Sequence, residues 1–183
     1  ILGFKKALLF GGIIMILGNL LIALSPKDFF YYGITLSIIG TGFFKPNISS
    51  MVGELYHESD NRRDAGYGMF YAGINIGGML GCAISIYLGK NYSWSLCFLS
   101  SAIVMTIGVI TFLLTKKQLE PIGNSPLLGM TDSKRRLAYR LVYVAALLAI
   151  PFIYVMVRNA SFTEYFMYGI GIIALGYFVL EWV

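Results

Sequence analysis

Long apolar runs alternate along this chain with brief polar breaks. Six of the runs, at 5–24, 29–56, 64–89, 92–115, 136–157 and 163–183, approach or exceed the roughly 20 helical residues needed to cross a hydrocarbon core. The breaks "SPKD", "HESDNRR", "GKNYS" and "RNASFTE" are short and polar. Only 116–135, "KKQLEPIGNSPLLGMTDSKR", is longer, and it holds two of the five prolines. The pattern predicts an all-α polytopic membrane protein in three parts: a four-helix block over 1–115, a linker over 116–135 and a transmembrane helical hairpin over 136–183.

Composition strengthens this reading. The chain is 57% hydrophobic and 13% charged, where a soluble domain carries about 25% charged residues. Its net charge of +5 comes from basic residues scattered between apolar spans, which argues against a nucleic-acid partner. Those residues also set the orientation. With the linker in the cytoplasm, Lys5, Lys6, Arg62, Arg63, Lys116, Lys117, Lys134, Arg135, Arg136 and Arg140 fall inside. Lys27, Lys90 and Arg158 fall outside, in accord with the positive-inside rule. The first residues are then cytoplasmic, and an even number of spans is expected to precede them. The chain starts at Ile1 and stops within an apolar run, as expected of a piece of a longer protein. Tyr92, Trp94 and Trp182 fall near the expected interfaces as aromatic anchors.

One charge fits neither side. Sixteen uncharged residues, Phe29 to Phe44, precede Lys45, and eight follow it before Glu54. A cation at such depth costs about 2.5–3.5 kcal/mol on insertion scales. No acid shares its helical face. Ser49, one turn on, accepts a hydrogen bond without neutralising the charge, and Pro46 frees a backbone carbonyl beside it. Lys45 therefore marks a substrate or ion pathway or, more blandly, a structural salt bridge between helices. Gly73, Gly77 and Gly81 form a small-residue stripe for close helix packing. Asn75 lies about 200° round from Gly73, on a face with Tyr71, Ala72 and Met79. Cys82 and Cys97 read as packing residues, with neither a disulfide nor a metal site implied, and His57 reads as solvated. No nucleophile with a base, metal-ligand spacing or phosphate loop is visible, so an enzyme is not expected.

"GTGFFKPNISS" (Gly40 to Ser50) followed by "YGMFYAGINIGGM" (Tyr67 to Met79) resembles the paired motifs of the proton-dependent oligopeptide transporters. These are the POT or PTR branch of the major facilitator superfamily. The second stretch is the more specific: an aromatic, Phe-Tyr, an apolar residue, then Ile-Asn-apolar-Gly-small-apolar. "DNRRDAGYGMFYAGINIGG" is also similar to the family's entry to its fifth helix. The resemblance covers essentially the whole chain. It implies a partial major facilitator fold, comprising transmembrane helices three to six and the extra hairpin that bacterial members insert between their two bundles. The remaining helices of the same transporter, with the acidic first-helix motif, lie outside the chain.

The resemblance implies proton-coupled symport of di- and tripeptides across the inner membrane by alternating access, driven by the proton gradient without a cofactor. Lys45 resembles the lysine that binds the peptide carboxylate and pairs with a first-helix glutamate. Asn75 resembles the asparagine that hydrogen-bonds the peptide backbone, and Tyr71 resembles a tyrosine lining the same pocket. The expected partners are peptides, protons and the lipid bilayer. Two alternatives stay open: a superfamily transporter of another small organic anion, and a non-transporting scaffold in which Lys45 ties helices together. The loop "HESDNRRDAG" reads either as a salt-bridged gate or as a solvated loop with a helix start at Asp64.

Overall fold

The computed structural model describes residues 2–25, 27–57, 60–119, 122 and 132–182. Among them there are six helices and no strand: α1 Phe4–Leu24, α2 Phe30–Glu54, α3 Arg62–Asn91, α4 Trp94–Thr115, α5 Asp132–Arg158 and α6 Ala160–Trp182. The all-α expectation holds. Most of the linker 116–135, and the side chain of Trp182, lie outside the described residues.

Helices α1, α3, α5 and α6 begin earlier than their apolar runs, while α2 and α4 begin one or two residues later. Ser93 accepts the amide of Leu96 at 3.2 Å ahead of α4. Asn159 Oδ1 accepts the amide of Phe162 at 3.1 Å ahead of α6, which starts at Ala160 rather than 163. Similarly, α5 starts at Asp132 rather than 136. Five of the helices are long and apolar enough to cross a membrane, and α2 is not among them. Lys45, Pro46, Asn47 and the pair Ser49–Ser50 lower its hydropathy, so the helix with the anomalous lysine is the one least matched to lipid. At Pro46 the helix loses an amide donor, while Asn47 Nδ2 donates to the Phe43 carbonyl at 2.6 Å beside the break.

The centre of the fold is the antiparallel pair α1 and α2. A Cβ on Gly11 would sit 2.6 Å from the carbonyl oxygen of Gly40, and one on Gly40 would sit 2.7 Å from that of Gly11. Two turns away the relation repeats, with 2.6 Å from Gly18 to the Gly33 oxygen and 2.5 Å in return. Only glycine allows both approaches, because the obstructing atoms are backbone. Gly12, beside the first pair, meets Val109 of α4. Phe10 meets Phe43 of α2 and Tyr143 of α5 edge-on, with ring centroids 5.0 and 4.9 Å apart. Leu8, Ile22 and Thr35 are the largest fully buried side chains, and the Thr35 hydroxyl donates to the Tyr31 carbonyl at 2.7 Å.

Among the described residues nothing packs on the stripe Gly73, Gly77 and Gly81: a Cβ at any of them meets nothing within 4 Å. Its helix, α3, touches the rest only near its ends and along α4. Cys82, on that open helix, is exposed, whereas Cys97 is buried in α4. α6 is attached to α5 through Phe152 and Phe166, with centroids 5.6 Å apart, and through the Thr163 hydroxyl, which donates to the Met156 carbonyl at 2.5 Å.

The glycine contacts can be tested within one helix. Gly40→Ala forces a backbone separation and lowers the unfolding free energy by about 1–3 kcal/mol. Gly42→Ala, two residues on, meets nothing within 4 Å and is neutral or stabilising by up to about 1 kcal/mol through helix propensity. Denaturant unfolding in detergent separates the two; equal effects contradict the packing account.

Candidate functional site

Lys45 stands on α2, and Tyr71 and Asn75 stand on α3. These helices meet where α2 ends and α3 begins. Gly53 lies against the Tyr67 hydroxyl, and the Tyr56 ring covers Gly66, where a Cβ would come within 2.6 Å of its hydroxyl oxygen. Lys45 is eight residues back from Gly53, and Asn75 eight residues on from Tyr67. At 1.5 Å per residue, both lie about 12 Å along their antiparallel helices from that contact. The lysine and the asparagine therefore share a level, with Tyr71 one turn nearer the contact.

All three side chains are exposed. Tyr71 is 55% accessible and stacks on Tyr67 with centroids 6.4 Å apart and planes 24° from parallel. Among the described residues no hydrogen bond or ion pair joins Lys45 to Tyr71, to Asn75 or to an acid. The bland expectation of a salt bridge tying helices together finds no partner there. The cause is helical register: Gly40 faces α1, and Lys45, five residues on, points about 140° away from that interface. The cation is carried on the open side of the α1–α2 pair.

Beyond the contact the helices enclose a polar cleft of about 630 Å³ lined by Ser50, Gly53, Glu54, Tyr56, His57, Arg63 and Tyr67. Sequence reasoning did not select this set. Its parts were visible separately, as His57 and Arg63 in the loop "HESDNRRDAG" and as Tyr67 one turn before Tyr71. In the loop, Asp60 grips Arg62: its carboxylate accepts from the Arg62 Nε, terminal nitrogen and backbone amide at 3.1, 3.0 and 2.9 Å. That grip starts α3 at Arg62, earlier than Asp64. The side-chain hydrogen bond from Arg62, then its backbone amide, hold the Asp60 carboxyl below its ordinary range. No group of three metal-ligating side chains occurs among the described residues.

The sequence model of the POT family matches residues 5–142. The chain belongs to the POT family. Over 119 residues it is 41% identical to the uncharacterized transporter YclF of Bacillus subtilis (strain 168), covering 64% of this chain and 24% of that protein. It is 40% identical over 114 residues to the peptide transporter YePEPT of Yersinia enterocolitica, covering 61% and 22%. Dipeptide and tripeptide permease A of Serratia proteamaculans matches at 31% over 152 residues, covering 82% and 30%. The chain thus spans about a quarter of the length of these curated relatives.

Solved structures agree. A peptide transporter POT in complex with sulfate superposes with a TM-score of 0.72 at 30% identity, covering 96% of this chain and 36% of that one. A mutant of a peptide transporter POT in complex with alafosfalin superposes at 0.75 with 31% identity, covering 98% and 37%. Tetrameric PepTSo2 gives 0.81 at 23% identity, a likeness of fold alone. The chain is thus an all-α membrane protein with the POT version of the major facilitator fold, present in part.

The Asp60 grip carries a pH signature. A carboxyl with a depressed folded pKa stabilises fully above its ordinary value, and that contribution is lost as pH falls through the lower folded value. Hydrogen exchange of the first-turn amides at Arg63 and Asp64 is therefore expected to accelerate as pH falls through that window, beyond the intrinsic rate change. Asp60→Asn is expected to accelerate it a few-fold at neutral pH and to flatten the dependence. Identical protection in the variant excludes the cap.

Proposed function

We propose that this POT chain is part of a proton-coupled symporter of di- and tripeptides that works by alternating access in the inner membrane. The observation that carries the reading is Lys45, a cation in mid-helix without an acidic partner among the described residues, level with Asn75 on the neighbouring helix. Relatives described as a peptide transporter and as dipeptide and tripeptide permeases support the substrate class. In this reading Lys45 binds the peptide carboxylate, Asn75 hydrogen-bonds the peptide backbone, and Tyr71 lines the pocket. Termini and backbone are common to all short peptides, so such contacts recognise many sequences.

Proton coupling follows from one cation serving two anions in turn. Without peptide, Lys45 pairs with a carboxylate from outside this chain, the first-helix glutamate of the family pattern. Protonating that carboxylate releases the lysine for the peptide carboxylate. An unpaired charge in low dielectric is costly, so the unloaded and unpaired state is suppressed. The proton gradient is the energy source, and no cofactor enters.

The test is dialanine uptake into proteoliposomes under an imposed proton gradient, with the complete protein and its Lys45→Ala variant. Removing one partner of a desolvated charge pair costs about 2–5 kcal/mol, so gradient-driven uptake is expected to fall at least 30-fold. Asn75→Ala is expected to raise KM more than it lowers the maximal rate. No uptake by the folded parent turns the assignment toward another organic anion. Equal uptake by parent and Lys45→Ala makes the lysine structural.

A further inference from the structure

Away from the Lys45 site, α1 and α5 run in the same direction and meet through side chains, while the backbone of α5 packs against α2. Lys6 Nζ lies 4.6 Å over the ring of Tyr139, and one turn deeper Phe10 meets Tyr143 at 4.9 Å. Both contacts join positions 133 apart, so the helices stay in step, and Ile14 falls level with Leu147. Below these contacts a groove of about 530 Å³ opens between α1, α5 and the floor of α2, lined on its two walls by Phe10, Ile14, Tyr143, Val144, Leu147 and Ile150. Its lining is almost wholly apolar, and Leu147, on its rim, is 65% accessible.

On the two walls, the charge above the groove is of one sign. On α1, Lys6 stands one turn before Phe10, which stands one turn before Ile14. On α5, Arg136, Arg140, Val144 and Leu147 follow at spacings of four, four and three, so they form one stripe. Lys5 adds a further cation. α1 has no acidic residue, and α5 has none after Asp132. Both walls thus carry cations one turn above an apolar slot, on the side that the lysine and arginine distribution assigns to the cytoplasm.

We propose that this groove is a binding site for an anionic phospholipid of the cytoplasmic leaflet. One acyl chain lies along Phe10, Tyr143, Val144 and Leu147, and the phosphate and negatively charged headgroup are held by Lys6, Arg136 and Arg140. Charge complementarity selects the occupant. A neutral headgroup leaves the cluster uncompensated, and an apolar protein helix would fill the slot without answering the cations. Basic pockets between membrane helices on this side are suited to anionic headgroups. The site gives the hairpin α5–α6 a lipid-mediated seam with the bundle, independent of the transport reading.

The test uses the complete protein in nanodiscs containing phosphatidylglycerol or phosphatidylethanolamine, each with a photoactivatable acyl chain, and maps crosslinks by mass spectrometry. Phosphatidylglycerol is expected to label 143–150 in preference to phosphatidylethanolamine. Arg140→Gln, at an exposed position, is expected to lower phosphatidylglycerol affinity about fivefold, the equivalent of about 1 kcal/mol per basic residue. Leu147→Trp, which fills the slot without changing charge, is expected to abolish labelling of 143–150 by both lipids. Unfolding midpoints establish that the variants are folded. Equal labelling by the two lipids, affinity unchanged in Arg140→Gln, labelling that survives Leu147→Trp, or a groove left unlabelled because another helix covers it, each overturns the proposal.

Discussion

Two reciprocal backbone contacts, Gly11 with Gly40 and Gly18 with Gly33, fix the arrangement on which everything else depends. Seven residues are almost two full helical turns, so each pair of glycines lies on one face. The antiparallel match of the two faces brings α1 and α2 to the distance of backbone contact. Once that distance is set, Gly12 admits Val109 of α4, and Phe10 is held between Phe43 and Tyr143. In an apolar solvent no hydrophobic force draws helices together, so close contact between small residues supplies the association. The glycines are therefore the source of the fold's order.

The same contact decides where Lys45 goes. Gly40 and Lys45 are five residues apart, and pressing the former into α1 turns the latter to the opposite side. Among the described residues no hydrogen bond or ion pair joins it to α1, and no acid sits on its own helical face. The helix that carries it is also the one whose composition falls short of a membrane span. Orientation and composition are thus both in keeping with the proposed site, in which this face of α2 meets polar groups rather than lipid. Asn75 reaches the same level because the turn between the helices closes at Gly53 and Tyr67, equally far from both.

Much of the architecture was legible in the sequence because apolar runs and polar breaks follow directly from the thickness of a hydrocarbon core. Helix starts were less legible. Asp60 and Asn159 cap helices from outside the apolar runs, and a cap depends on local hydrogen bonds rather than hydropathy. The glycines that pack within this chain are not the ones the sequence made conspicuous. Gly73, Gly77 and Gly81 form the more conspicuous motif, with a four-residue period inside one helix, yet nothing rests on them among the described residues. The operative glycines are spaced by seven and divided between two helices, and only the pairing of α1 with α2 reveals them. For the site, the sequence singled out Lys45, Tyr71 and Asn75 by charge and motif. It could not show that Lys45 faces away from the bundle, because that depends on which side of α2 the glycines bury.

The two groups of cations in this chain differ in what the membrane demands of them. Lys6 and Arg140 stand above the apolar groove between α1 and α5, where long side chains extend toward headgroups and water. Lys45 sits at nearly the same level, since Gly40 pairs with Gly11, but on the face of α2 turned away from α1. Its charge therefore needs water or an anion inside the protein. A permanent anion on the same helix would satisfy the charge and leave nothing for a ligand to do. With no permanent anion among the described residues of its own chain, the lysine exchanges one carboxylate for another, and once its partner is protonated an incoming carboxylate is the group that gains most from binding. Under the proposed transport function this accounts for recognition through the peptide terminus: the largest energy term in the site is a charge that every short peptide can neutralise, whatever its side chains.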